Sequence, residues 1–151
     1  IKKWDMTGIL WWNLLDGWPG ISDAVVDYYF DKKLAFDVIR RVQEPVCVML
    51  DEIKGWERAV YLANDTNTDK TVSYRVYTYE EGNTVLEGEA FIEKGKNMKI
   101  GEFFEIPGTK KLYIIEWIEE GKKHISHYMA GYPSFDTDTI LKWYKVIKEL
   151  D

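Results

Sequence analysis

Thr71-Val72-Ser73-Tyr74-Arg75-Val76-Tyr77-Thr78-Tyr79 alternates in polarity, with Val72, Tyr74 and Val76 on one face. Successive side chains of an extended chain point to opposite faces, so this alternation predicts a half-buried strand. Working outward, the same reading predicts strands over 46–53, 56–64, 84–92, 97–106, 111–119 and 123–130, with Leu112, Ile114 and Ile118 sharing a face. Turn signals separate them: Lys54-Gly55, Asn64 to Lys70, Glu81-Gly82-Asn83, Lys94-Gly95, Pro107-Gly108 and Glu120-Gly121. Seven short strands repeating about every twelve residues predict a mainly β fold, an immunoglobulin-like antiparallel β-sandwich. The chain has one Cys, so the Cys…Trp…Cys signature of antibody domains is absent and only the architecture is expected. After the last strand, Asp136 is the predicted N-cap of a C-terminal helix and Phe135 is expected to staple onto Ile140. Ile140, Trp143, Tyr144 and Ile147 form the apolar stripe of that helix.

Ahead of Pro45 the pattern is different. Gly8-Ile9-Leu10-Trp11-Trp12-Asn13-Leu14-Leu15-Asp16 is apolar almost without break, which predicts a strand buried on both faces, as in a parallel sheet. Gly17-Trp18-Pro19-Gly20 follows as a turn-rich loop. A second apolar stretch runs from Ala24 to Phe30. Over 32–43, Leu34, Phe36, Val38, Ile39 and Val42 recur at helical spacing, Arg40 and Arg41 suit the negative end of the helix dipole, and Pro45 prevents continuation. Strand, aromatic loop and helix make one β/α unit, which cannot bury itself alone. The expected division is therefore 1–45, a barrel fragment, and 46–151, the sandwich with its helix. The start, Ile1-Lys2-Lys3-Trp4, has no initiator Met or signal-peptide pattern and reads as a cut inside a longer chain.

Composition narrows the function classes. Of 151 residues, 46% are hydrophobic and 30% charged, as in a folded protein rather than a disordered one. Net charge is −6 and the basic residues form no stripe, so no nucleic-acid partner is expected. No apolar run approaches the length of a membrane span, so no membrane partner is expected. Cys47 is alone, which rules out a disulfide within the chain and favours a reducing, cytoplasmic compartment. Its apolar neighbours Val46, Val48, Met49 and Leu50 favour core packing over nucleophilic chemistry. Aromatics are unusually abundant at 15%, with seven Trp, four of them within the first eighteen residues. Aromatic faces grip sugar rings, and they also fill cores.

The run Gly8 to Trp18 resembles the eighth barrel strand and following loop of glycoside hydrolase family 2 enzymes, the β-mannosidases, β-glucuronidases and β-galactosidases. Trp12, Asp16 and Trp18 match the mannosidase pattern Trp-Gln-Leu-Asn-Asp-x-Trp. Trp12, Asn13 and Asp16 match the glucuronidase pattern Trp-Asn-Phe-x-Asp. Asn13 and Leu15 depart from the mannosidase pattern. Asp27 to Phe36 also resembles the family's passage into its last barrel helix, whereas over 46–151 the likeness is a sandwich placed after the barrel. The resemblance implies a (β/α)₈ barrel, whose active site lies on the loops beyond the C-terminal ends of the strands. Trp12 is then expected as a platform beneath the sugar, or else as barrel packing. Packing is the stronger expectation for Trp11, and Asp16 and Trp18 would shape the pocket wall beside Asn13. For Asp16, holding the loop together is the stronger expectation than touching sugar.

The implied chemistry is retaining hydrolysis of a β-linked sugar, which needs two carboxyl groups about 5–5.5 Å apart. In the family these are glutamates after the fourth and seventh barrel strands. No Glu precedes Glu44 here, so the isolated chain is expected to be inactive, with sugar bound through the full-length enzyme. No cofactor and no metal are expected. His124 and His127 would point to opposite faces of a strand, and Asp65, Asn67 and Asp69 lack the Gly and Glu that complete a calcium loop. The alternative is a non-catalytic carbohydrate-binding or spacer module, for which Trp56, Trp117, Tyr77, Tyr79 and Tyr113 could supply an aromatic row. A third reading is an interaction protein. An unpaired apolar strand at 8–16 predicts homo-oligomer formation through residues 1–30, or a rearranged packing onto the sandwich.

Overall fold

The computed structural model describes residues 1, 5–6, 8–132 and 135–150; Lys2, Lys3 and Trp4 of the first expected segment lie outside them. The chain divides into two compact units, Lys2–Gln43 and Glu44–Asp151, with Ile1 grouped with the second.

The larger unit holds the seven expected strands: β1 (Val46–Leu50), β2 (Glu57–Asn64), β3 (Lys70–Thr78), β4 (Thr84–Ile92), β5 (Asn97–Phe104), β6 (Lys111–Glu119) and β7 (Lys122–Ala130). They form two antiparallel sheets, ordered β1-β2-β5 and β4-β3-β6-β7. One core joins the sheets, built from Val46 and Val48 of β1, Val60 and Leu62 of β2, Val72 and Val76 of β3, and Trp117 of β6. Alternation placed Val72, Tyr74 and Val76 of β3 together on this core, as expected. The β6–β7 turn shows why a glycine was needed. Glu120 and Gly121 both have positive φ, 47° and 79°, the backbone that a tight hairpin turn requires.

Hydrogen bonds also run from sheet to sheet. The Trp117 indole N–H donates to the Val46 carbonyl at 3.0 Å, and the Tyr74 hydroxyl to the Ile100 carbonyl at 3.1 Å. Leu112 and Ile114 lie on the other face of β6 and are also buried, whereas Ile118 is half exposed. Tyr79, whose N–H bonds to the Leu112 carbonyl, carries Lys142 over its ring. Lys142 belongs to α2 (Thr137–Lys148), whose N-cap Asp136 accepts from the Thr139 N–H at 2.9 Å, as expected. Phe135, expected to staple onto Ile140, meets Trp143 edge-on at 5.5 Å. Only Trp143 and Ile147 of the expected stripe are buried.

The stretch 64–70 crosses from β2 in one sheet to β3 in the other, so it is not a hairpin turn. The buried Asn64 amide donates to the Thr68 and Glu93 carbonyls, and its oxygen accepts from the Thr66 N–H and hydroxyl. The expected aromatic row does not form. Trp117 and Tyr113 are buried in the core, while Trp56 is exposed and stacks on Phe104 with rings 5.8 Å apart. Trp56 lies in the turn ahead of β2 rather than in the strand expected over 56–64, and periodicity could not place Trp117, because an aromatic suits a strand on either face.

The smaller unit contains α1 (Leu34–Val42), the helix expected over 32–43. The strand expected over 8–16 is not formed. The stretch makes one parallel bridge, Leu15 to Val26, and Leu10 is 99% exposed. A strand apolar on both faces is held by neighbouring strands and covering helices. The described residues of this unit supply two isolated bridges, Leu15 to Val26 and Val26 to Lys32, and one helix.

Candidate functional site

The aromatic loop is organised by Asp16. Its backbone N–H bonds to the Val26 carbonyl at 3.1 Å, and the Val25 and Val26 N–H groups bond to the Asn13 and Leu14 carbonyls at 3.3 and 2.9 Å. These few bonds are a short parallel ladder that fixes where the loop leaves and returns. The Asp16 side chain is buried between those crossings, and both carboxylate oxygens are engaged. The Ser22 hydroxyl donates to Oδ1 and the Lys33 ammonium to Oδ2 at 2.9 Å. A buried carboxylate is tolerated only when paired and hydrogen-bonded in this way. Asp16 therefore holds the loop together, the stronger of the two roles expected of it.

The Ser22 hydrogen bond, and next the Lys33 ammonium, hold the Asp16 carboxyl below the ordinary carboxylate range. The folded value is thus lower than the unfolded one, near 3.9. The stabilisation is present in full above the unfolded value and is lost as pH falls through the folded value. In an acid titration, tryptophan emission from this loop is expected to hold steady down to about pH 5 and change below about pH 4. Asp16→Asn should lack that transition.

The other candidates surround this anchor. Trp12 is 82% and Trp18 76% exposed, and among the described residues they make no ring contact with each other. The Trp12–Asn13 peptide bond is cis, and Asn13 is exposed beside it. Trp11 lines an open, mainly apolar cleft of about 670 Å³ with Ile9, Leu10, Leu14, Val25 and Phe36. That placement separates Trp11, on an apolar wall, from the more exposed Trp12 and Trp18. Ser22 and Lys33 were not singled out from sequence. A buried acid in an apolar stretch calls for a cation, but no spacing rule points six and seventeen residues ahead.

Other titratable groups are occupied elsewhere. His124 stacks on Trp117 at 5.2 Å, and burial, with Lys122 nearby, pushes its imidazole below the ordinary value. His127 pairs with Ile114, on the opposite face of β6 from Trp117, so the two histidines do not converge. Burial pushes the Cys47 thiol up to about 12, which removes its nucleophilic form at neutral pH. Among the described residues no group of three or more His, Cys, Asp or Glu could hold a metal ion, and no helix is long and apolar enough to cross a membrane.

No protein-family model matches the chain. Among curated proteins, β-mannosidase B of Aspergillus flavus is 49% identical over 41 residues, which is 27% of this chain and 5% of that protein. β-Mannosidase B of Emericella nidulans is 46% identical over the same length, again 5% of the protein. Among solved structures, β-D-mannosidase from Dictyoglomus thermophilum matches 80% of this chain and 16% of its own, with a TM-score of 0.59 and 21% identity. The exo-chitosanase of Amycolatopsis orientalis matches 82% of this chain and 15% of its own, with a TM-score of 0.61 and 16% identity. At those identities the structural matches establish the fold, while the curated matches carry the sequence likeness. The chain thus spans a small part of each protein it matches. Sequence and fold together bear out the resemblance of this chain to the C-terminal portion of glycoside hydrolase family 2 enzymes.

Proposed function

We propose that these residues serve as the C-terminal part of a retaining, exo-acting β-glycosidase, with a β-mannoside as the favoured substrate. The observation that carries this reading is the 49% identity to β-mannosidase B over 41 residues. The exposure of Trp12 and Trp18 around a fastened loop supports it, since flat apolar faces held in place are what a sugar ring stacks against. In this reading Trp12 lies beneath the reacting sugar, Trp18 and Asn13 shape the wall, and Asp16 keeps the loop in register. The nucleophile and the acid/base are glutamates contributed by the rest of the enzyme, so this chain alone does not turn over substrate. The exposed Ile9, Leu10 and Leu14 form the face that preceding barrel strands, or a second copy of the chain, would cover. The single buried thiol fits a reducing, cytoplasmic setting.

The test is a panel of chromogenic β-mannoside, β-galactoside, β-glucoside and β-glucuronide offered to a longer enzyme that contains these residues. Preference for the mannoside is expected. Preference for another sugar would overturn the mannosidase assignment and keep the glycosidase, and failure on all four would contradict the reading as a whole.

A second reading, a non-catalytic carbohydrate-binding module, has one observation in its favour. Trp56 and Phe104 are both exposed on the sandwich and stack almost parallel, 6° apart. Binding of soluble mannan by the isolated chain that is lost in Trp56→Ala would favour it.

A further inference from the structure

The stretch that carries Trp18 is a closed loop, and Lys33 touches both of its ends. Its ammonium lies 2.9 Å from Asp16 Oδ2, where the loop begins, and 3.2 Å from the Ser22 carbonyl, where it ends. Ser22 completes the closure by donating its hydroxyl to Asp16 Oδ1 and accepting the Ala24 N–H at 3.0 Å. The Lys33 side chain is 30% exposed and the Asp16 side chain 6%, so the pair lies beneath the loop rather than on its crest. Trp18 sits between the two fastened ends, with its indole folded over Gly20; a Cβ added there would meet the ring at 3.6 Å. Lys33 is also the N-cap position of α1, and its N–H bonds to the Val25 carbonyl at 3.0 Å. Its backbone is therefore fixed by the ladder while its side chain fixes the loop.

We infer that Lys33 is a positioning residue for the sugar site, clamping both ends of the 16–22 loop so that Trp18 keeps its place on the pocket wall. The inference rests on the proposed reading that Trp12 and Trp18 face sugar. Lys33 itself touches no substrate. It acts through Asp16, whose two oxygens are already engaged, and through the Ser22 carbonyl. A cation that only offset one buried carboxylate would not also need the Ser22 carbonyl, and losing it would not move Trp18. Arginine keeps the charge and offers more donors to the same two acceptors, so Lys33→Arg should preserve the clamp; Lys33→Met keeps the stem and removes it.

The experiment has two arms. In the 151-residue chain labelled with fluorotryptophan, fluorine NMR is expected to show the Trp18 resonance, assigned with Trp18→Phe, shifted or broadened in Lys33→Met. The same resonance should return to its place in Lys33→Arg, while those of Trp117 in the sandwich and Trp143 on α2 stay unmoved throughout. Ser22→Ala, a milder change, should shift it less and in the same direction, and it carries the test if Lys33→Met does not fold. An unmoved Trp18 resonance overturns the inference whatever the enzyme does. In the longer enzyme, Lys33→Met is expected to raise KM for the preferred chromogenic glycoside about tenfold while changing kcat less than about threefold, the pattern of lost uniform binding. A fall in kcat at unchanged KM overturns it. A longer enzyme with no glycosidase activity removes the proposed function instead, and the fluorine signal still decides whether Lys33 holds Trp18.

Discussion

Replacing Arg58 by methionine is expected to lower the unfolding free energy of the sandwich by about 3–5 kcal/mol, the cost of leaving a buried charge without its partner. Arg58 and Glu105 are both almost wholly buried and meet side by side, Nε to Oε2 at 2.6 Å and the terminal nitrogen to Oε1 at 2.8 Å. The guanidinium also donates to the Asp51 carbonyl and lies 4.4 Å from the centre of the Tyr128 ring. Methionine fills much of the stem's volume, so the loss would come from the carboxylate rather than from a cavity. A small domain is stable by about 5–15 kcal/mol in all, so the variant should unfold at markedly lower urea. The double variant Arg58→Met with Glu105→Leu should recover most of the loss, because burying two ions costs about as much as their attraction returns. Urea unfolding of the wild type and the two variants measures this. A double variant as weak as the single one would mean that the ion pair itself, not its desolvation, dominates.

The second large effect is expected at Trp117, which is 1% exposed at the centre of the core. Trp117→Ala should cost about 3–5 kcal/mol through lost burial and the cavity left behind. Trp117→Phe keeps a ring in place and removes only the bond to the Val46 carbonyl and part of the volume, so it should cost about 1–2 kcal/mol. With a urea dependence of about 1–3 kcal/mol per molar, these losses are well separated in the unfolding midpoint. Cys47 gives a companion readout. It is buried beside Val46, so its reactivity toward a thiol reagent should rise in Trp117→Ala and stay low in the wild type.

Much of the sandwich was legible before its structure. Alternation at Val72, Tyr74 and Val76, and the glycine-bearing turns between strands, fixed each strand to within a few residues at its ends. A period of two reports a local fact, that one face is buried, and needs no knowledge of the partner. The run 8–16 shows the limit of that logic. Its apolar character was read correctly, but a strand buried on both faces is completed by other strands, and the stretch itself makes one bridge. Long-range polar contacts were not legible either. Arg58 and Glu105 meet across 47 positions and Lys33 and Asp16 across 17, and nothing in either neighbourhood marks the partner. Among the site residues, the family-like pattern picked out Trp12, Asp16 and Trp18, and the structure added Ser22 and Lys33 as the partners of Asp16. Trp56 and Trp117 looked alike in sequence and differ completely in burial, because Trp117 lies on the face of β6 that meets the opposite sheet whereas Trp56 lies in the turn ahead of β2.

In the proposed function these residues contribute a sugar-facing wall to a glycosidase whose catalytic carboxylates lie elsewhere in the enzyme. Hydrolysis of a chromogenic β-mannoside, measured side by side for this chain and for a longer enzyme that includes it, tests the claim most directly. The account predicts turnover by the longer enzyme and none by the chain alone. Turnover by the chain alone would place a catalytic carboxyl pair within these residues and contradict it.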